Sequence, residues 1–364
     1  MHPFRSVTIP ISLRDDVPRV EVRVGRQRAR FLLDSGAAVT VLTPDAARRL
    51  GKERTRDAAV LQGAATVTAD KVRLPEISLG DARLPESDAY VAALPGLDDC
   101  DGLLGGPLFA RFALTIDYER ARLTLTEPSA LTPPPGATRL PLRLRRGLPF
   151  VDGAADGRPG LFELDTGAGG TVTLFAPFVE RYRLREILTP RFETVTGRAI
   201  GGVLRGDIVR LPTLSIGAFT IVRPLVELSR QSAGAFFDSE AAGNIGAQVL
   251  RRFTLTFDFS GERVFLSRNR FFGQEFVANR SGLALEADGE GLIVVDVWAG
   301  SPAAETGVRT GDRVLSVDDM PAGRLGLDAI RERLRRAPGT KVLLRVQSGS
   351  DSPRPAALIL RELL

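Results

Sequence analysis

The chain has little of what most enzymes use for chemistry. Its 364 residues include one cysteine, Cys100, and one histidine, His2. A single cysteine excludes an internal disulfide and a cysteine-cluster metal site. A single histidine, beside the first methionine at an end expected to fray, leaves no general base for Ser-His-Asp or Cys-His mechanisms and no ligands for a His-based zinc site. No metal and no cofactor is expected, and a hydrolase made from these residues has to work with carboxylates. Lysine is almost absent: only Lys52, Lys71 and Lys341 occur, and arginine, spread along the whole chain, supplies the rest of the 49 basic residues. The formal charge is +5. No dense basic stripe with interleaved aromatics appears, so no nucleic-acid partner is expected. No apolar run approaches the length of a membrane span. The opening MHPFRSVTIPISL lacks a charged segment followed by an apolar one. A cytoplasmic location is expected as the sequence stands, and a periplasmic or secreted one if an upstream signal peptide is missing.

What is present is a duplication. RFALTIDYERARLTL (Arg111 to Leu125) returns as RFTLTFDFSGERVFL (Arg252 to Leu266). Upstream, GLLG at Gly102 to Gly105 returns as GNIG at Gly243 to Gly246, and ISLG at Ile77 as LSIG at Leu214. FLLDSGAAVTVLTP, from Phe31, returns as LFELDTGAGGTVTLFAP, with Asp165 matching Asp34. Order is kept throughout, as expected for a domain of roughly 130 residues written twice. The Pro-rich stretch EPSALTPPPGATRLP reads as a linker between copies. Expected boundaries are 1–126 for the first copy, 127–141 for the linker, 142–272 for the second copy and 276–364 for a different C-terminal unit. The copies read as mainly β, with alternating strands such as VEVRVG (Val20 to Gly25). Helices are short; TPDAARRLG has Thr43 as N-cap and Pro44 at N1, and APFVERYRL starts its equivalent.

An isolated Asp-Ser-Gly is most often only a tight turn, since Asp and Ser bond their own backbone and Gly accepts positive φ. Two copies of one β-lobe, each presenting Asp-[Ser/Thr]-Gly after an apolar strand, can do more. Meeting about a pseudo-two-fold axis, their carboxylates share one site. Like charges that close cannot both ionise, so one pKa falls, the other rises, and the pair holds one proton. The ionised member is a general base for water and the protonated member an acid.

DSGA and DTGA, each with its later apolar-Gly element (Leu103-Leu104-Gly105 and Asn244-Ile245-Gly246), resemble the aspartic proteases, nearest to the retropepsin-like branch found in bacteria. The resemblance covers roughly residues 5 to 270. It implies a bilobal pair of pepsin/retropepsin-like acid protease β-barrels in one chain, hence a monomer. It implies Asp34 and Asp165 as the catalytic dyad of an aspartic endopeptidase acting on polypeptides. Ser35 and Thr166 would brace the two loops through cross-lobe hydrogen bonds, and Gly36 and Gly167 would let backbone N–H groups approach the carboxylates. The sequence departs from the pattern at Ala38 and Gly169, at Asn244, which interrupts an apolar pair, and in having no Tyr where a pepsin-like flap carries one. Gly63 and Gly197 are the flap candidates. The rival from another class is a peptide-binding scaffold whose protease fold has lost activity.

The tail, 276–364, resembles a PDZ domain through GLAL (Gly282 to Leu285) and GSPAAETGVRTGDRVLSV. This implies an added-strand groove for C-terminal peptides of substrates or partners, with Gly282, Leu283, Ala284 and Leu285 as carboxylate loop and edge. Leu327 and Ile330, with Leu334 at helical spacing, are candidates for the opposite wall or for core. Ile293, Val294, Val295 and Val297 read as a buried strand.

Overall fold

The computed structural model describes residues 4–51, 54–288 and 291–364. Strand Val17–Val24 buries Val20, Val22 and Val24 and exposes Glu21 and Arg23, the alternation of a sheet with one wet face. Its partner Gln27–Leu33 starts the same way but buries three consecutive residues, Phe31, Leu32 and Leu33. Both faces of that strand end are covered because it runs into the middle of the molecule. Arg158–Leu164 repeats this with Phe162, Glu163 and Leu164.

The two copies form ten-stranded sheets with the same strand order, element for element. In each, a short strand runs parallel to the end of the central one: Gly102–Leu104 beside Phe31–Leu33, and Gly243–Ile245 beside Phe162–Leu164. A third sheet, six-stranded, is shared. There Ala113–Asp117 pairs with Phe253–Asp258, placing Leu114 opposite Phe257 and Ile116 opposite Leu255. Phe109 from the first copy packs on Phe257 and Phe259 of the second, with ring centroids 5.5 and 5.3 Å apart. One hydrophobic core therefore runs through both lobes.

The Pro-rich segment is only partly a linker. Pro128–Ala130 is a single 3-10 turn, but Thr138–Pro141 is the edge strand of the shared sheet, paired with Arg263–Leu266. The edge position tolerates Pro141, which cannot donate to a ladder. Helix Pro44–Leu50 has Thr43 accepting from the Ala46 N–H and buries Ala46, Ala47 and Leu50. Its C-lobe equivalent is broken into Ala176–Arg181 and Leu184–Ile187, with Arg183 at φ 50 between them.

The C-terminal module has its own core. Its sheet runs Leu283–Ala287, Leu292–Val297, Arg313–Val317, Lys341–Gln347, Arg354–Ile359, with Met320–Pro321 on the third strand. Ser301 caps the short helix Pro302–Glu305. The strand expected to be buried is buried only at Leu292 and Val294; Ile293 and Val295 are partly exposed, because they face the space between module and lobes. The module spans both lobes. Trp298 stacks on Phe192 at 4.8 Å, Asp296 accepts from the Val195 N–H at 3.2 Å, and Glu286 pairs with Arg198 at 2.7 Å, all on the second lobe. On the first lobe, Asp15 pairs with Arg331 at 3.3 Å and Arg14 with Asp328 at 3.7 Å. No helix among the described residues is long and apolar enough to cross a membrane.

Candidate active site

The two central strands end at the lobe junction and deliver Asp34 and Asp165. Each Asp N–H bonds to the parallel neighbour strand, Asp34 to the Leu104 carbonyl at 3.1 Å and Asp165 to the Ile245 carbonyl at 3.0 Å. The turns that follow are cross-braced. The Ser35 N–H donates to Thr166 Oγ1 at 3.0 Å and the Thr166 N–H to Ser35 Oγ at 3.0 Å. Ser35 Oγ donates to the Leu164 carbonyl at 2.6 Å, and Thr166 Oγ1 to the Leu33 carbonyl at 2.8 Å. Both hydroxyls are buried, so all four bonds are shielded from water.

Gly36 and Gly167 are glycines for space, since neither has positive φ. A Cβ on Gly36 would lie 2.6 Å from the Asp165 carboxyl carbon, and one on Gly167 2.4 Å from that of Asp34. The two acids are close enough that each changes the ionisation of the other. They are not equivalent. Asp34 accepts the Gly36 N–H at 2.9 Å, and the Ala37 N–H also favours its charged form. Asp165 accepts three: from the N–H groups of Gly167 at 2.9 Å and Ala168 at 3.0 Å, and from Asn244 Nδ2 at 3.0 Å. Burial, then the charge of Asp165, holds Asp34 well above the ordinary carboxylate range. Burial raises Asp165 too, but its donors oppose that. The extra donor, Asn244, favours the charge on Asp165 and the proton on Asp34.

Asn244, which interrupts an apolar pair in the sequence, is thus a buried donor to the charged acid. Its first-lobe counterpart is Leu103. The same kind of difference runs across the whole floor. Strand register aligns Arg19, Leu32, Leu103, Val41 and Tyr90 in the first lobe. It aligns Phe150, Glu163, Asn244, Thr173 and Glu227 in the second. Glu163 and Glu227 were not picked out from the sequence. The signal for Glu163 was there, in RFLLDSG set over LFELDTG, where Leu32 faces Glu163. Burial pushes Glu227 up to about 7, although Thr196 and Thr173 donate to it.

The roof consists of two hairpins, Arg54–Gln62 with Thr66–Leu74 and Phe192–Ala199 with Gly202–Arg210. Their tips touch: the Ala64 N–H donates to the Ile200 carbonyl at 2.8 Å. Gly63 is at the first tip. Gly197 is not at the second; it sits at a bulge in its strand, and Ile200 with Gly201 makes the turn.

Floor and roof enclose a cavity of about 2100 Å³ that continues along the C-terminal module, where Leu283, Ala284, Leu285, Leu327 and Arg331 line it. Two module candidates lie elsewhere. Ile330 is fully buried in the module core, since the helix turns it away from the groove. Gly282 (φ +77) packs against Ser301 and shapes the loop from behind. The N–H groups of Gly282 and Leu283 already donate to Asn279 Oδ1 and Ser281 Oγ. Arg331 crosses the groove and donates to the Leu285 carbonyl at 3.3 Å.

Two family models match the chain: one described as aspartyl protease over residues 20–108, and one described as PDZ domain over residues 293–348. Among solved structures, an aspartic proteinase from Irpex lacteus is similar at TM-score 0.50 and 15% identity, covering 74% of this chain and 98% of that one. Basic 7S globulin from soybean gives TM-score 0.44 and 11% identity, covering 75% and 98%. None of the curated proteins matches the chain. At these identities the likeness to the proteinase is one of fold, and it agrees with the two-lobed β architecture described above.

Proposed function

We propose that this chain, in which an aspartyl-protease-like domain is joined to a PDZ domain, is an endopeptidase with Asp34 and Asp165 as its dyad. The observation that carries this reading is the unequal hydrogen bonding of two acids that share one proton at the floor of a peptide-sized cavity. Asp165, ionised, takes a proton from a water whose oxygen bonds to the scissile carbonyl carbon. Asp34, protonated, gives its proton to the carbonyl oxygen. The proton on Asp165 then passes to the amide nitrogen as the C–N bond breaks, and the diol returns a proton to Asp34. Ser35, Thr166, Gly36 and Gly167 hold the two carboxyls at the separation this requires. Polypeptides are the substrates, and one chain suffices because it supplies both acids.

The PDZ groove between edge strand Leu283–Ala287 and helix Leu327–Arg333 is read as a binding site for peptide C-termini. Its opening into the dyad's cavity supports a role in presenting substrate or covering the cleft. The test is hydrolysis of unfolded protein from acid to neutral pH by the parent, Asp34→Asn and Asp165→Asn. Parent activity that falls about 10³-fold or more in each variant is expected. Activity surviving either substitution would remove the dyad. An inactive but folded parent that still binds C-terminal peptides would leave a scaffold.

A further inference from the structure

The second-lobe floor holds a carboxylate with nothing to pair with. Glu163 is 8% exposed and lines the cavity. Among the described residues no donor hydrogen-bonds to its carboxylate, and no cation lies within ion-pair distance. The groups it faces are mostly acids: Asp165 from its own strand, Asp34 from the other lobe and Asp238 from the loop beyond. Among the described residues the nearby cation is Arg145, which is already tied to Asp238 at 3.2 Å and to Glu240. A buried acid without a partner is costly, and natural cores rarely keep one without a use. Leucine at the matching position, Leu32, shows that the fold does not need an acid there.

Glu163 also has the right surroundings. It stands between Phe150 on one side and Asn244 on the other, on the face that carries Asp165. Asn244 spends its amide nitrogen on Asp165 and keeps its carbonyl oxygen, a further acceptor. Two strands further on, Glu227 lines the same wall. The matching stretch of the first lobe is Leu32, Leu103 and Val41, with Arg19 at its end drawn off to Asp99 at 3.1 Å.

We propose that the second-lobe side of the cleft is a subsite for a cationic side chain, lysine or arginine, with Glu163 as its ion partner. This rests on the peptide-binding cleft of the preceding reading and names its substrate class: peptides with a basic residue on one side of the scissile bond and an apolar one on the other. The carboxylate of Glu163 meets the charge, beside Phe150, whose ring already carries the Arg145 guanidinium at 5.1 Å. Burial and the neighbouring acids favour the neutral form of Glu163, so a bound cation draws off its proton and then gains a charge-assisted bond. An apolar side chain there would leave the acid unpaired, which is how a site rejects as well as selects.

The test uses full-length protein and statine-type peptides that differ only in lysine or norleucine at each of the two positions flanking the statine, with binding followed by calorimetry. At one flank the parent is expected to bind the lysine peptide at least tenfold more tightly than the norleucine peptide, and at the other flank it should show no such gain. In Glu163→Gln, which copies the neutral acid in shape, and in Glu163→Leu, which copies the first lobe, that ratio should fall below twofold, with thermal melts confirming folding. No lysine gain at either flank overturns the inference, as does a gain that survives in both variants. Cleavage of matching peptides is read separately. A parent that binds the lysine ligand but hydrolyses nothing overturns the endopeptidase reading and leaves the subsite standing. A parent that hydrolyses both peptides equally overturns the subsite alone.

Discussion

The two lobes are one fold written twice, and they differ most in the floor of the cavity between them. Their strand orders match, their Asp turns exchange mirror-image hydrogen bonds, and their hairpins close the roof from opposite sides. Their floors do not match. Leu32, Leu103 and Val41 make one half apolar; Glu163, Asn244 and Thr173 make the other polar and acidic. Symmetry is kept in what holds the two acids together. It is broken in what surrounds them, and the break gives one acid the proton and the other the charge.

The symmetric part is the most sensitive to change. Gly36→Ala and Gly167→Ala each force a methyl group into the opposite carboxyl, where a Cβ stands at 2.6 and 2.4 Å. Each is expected to abolish measurable peptidase activity, and the two losses should be alike because the contacts are. A variant retaining a tenth of parental activity would mean that the loops can part without harm.

The asymmetric part gives a graded effect. Asn244→Leu makes the second floor copy Leu103 and takes from Asp165 its side-chain amide donor. Losing a bond to a charged group in a buried site costs about 1.5–3 kcal/mol, or on the order of tenfold to a hundredfold in kcat. The sign on pH follows. The amide stabilises ionised Asp165, so without it the base needs a higher pH to lose its proton, and the acid limb of the rate profile moves up. The reverse exchange, Leu103→Asn, should not move that limb down, since Asp165 already has its donors. A rate profile that keeps its acid limb in Asn244→Leu would contradict the assignment of the charge to Asp165.

How much of this was legible beforehand follows the same division. The duplication, the β architecture and the two Asp turns could be read from the sequence because they are repeated, and repetition is visible in one chain; the bracing by Ser35 and Thr166 was implied by the resemblance to aspartic proteases. The module was readable from GSPAAETGVRTGDRVLSV, where Ser301, Pro302 and Gly307 are punctuation for a short capped helix. The unrepeated features were missed or misread. Asn244 looked like an interruption because its partner is Asp165, far away in sequence and adjacent only through strand register. Glu163 was hidden inside an apolar run. Gly197, a flap candidate, lies in the second hairpin at a bulge and not at its tip; a bulge and a turn both favour glycine, and only the pairing of Phe192–Ala199 with Gly202–Arg210 separates them. Thr138–Pro141 passed for linker because an edge strand containing proline has no periodicity to show.

The bracing bonds should cost alike when broken singly. Ser35→Ala removes two of the four cross-lobe bonds and leaves the Thr166 N–H buried and unpaired. Thr166→Val does the same to the Ser35 N–H. Each is expected to lower stability by about 2–3 kcal/mol in chemical denaturation, by the cost of a buried unsatisfied donor. The double variant should lose less than the sum of the two, because both singles damage one network. Strict additivity would mean that the lobes are braced independently.

The smallest effect concerns the acid at the far end of the second floor. Burial raises Glu227 to about 7 from an unfolded value near 4.5. Between those values the folded chain holds a proton that the unfolded chain has released, so the unfolded state binds fewer protons and stability falls as pH rises. The contribution is fully present below the unfolded pKa and is gone once pH passes the folded one. Glu163 and Asp34, also raised, act in the same direction. Glu227→Gln keeps an acceptor for Thr196 and Thr173 and removes the titration. Its melting temperature should therefore fall less than the parent's between pH 5 and pH 8, by about 1–3 °C if the acid contributes on the order of 1–2 kcal/mol. Tyr90→Phe, at the matching place in the first lobe, should leave the parental slope as it is. Equal slopes in parent and Glu227→Gln would mean that water reaches Glu227 and that the acidic character of this floor ends at Glu163.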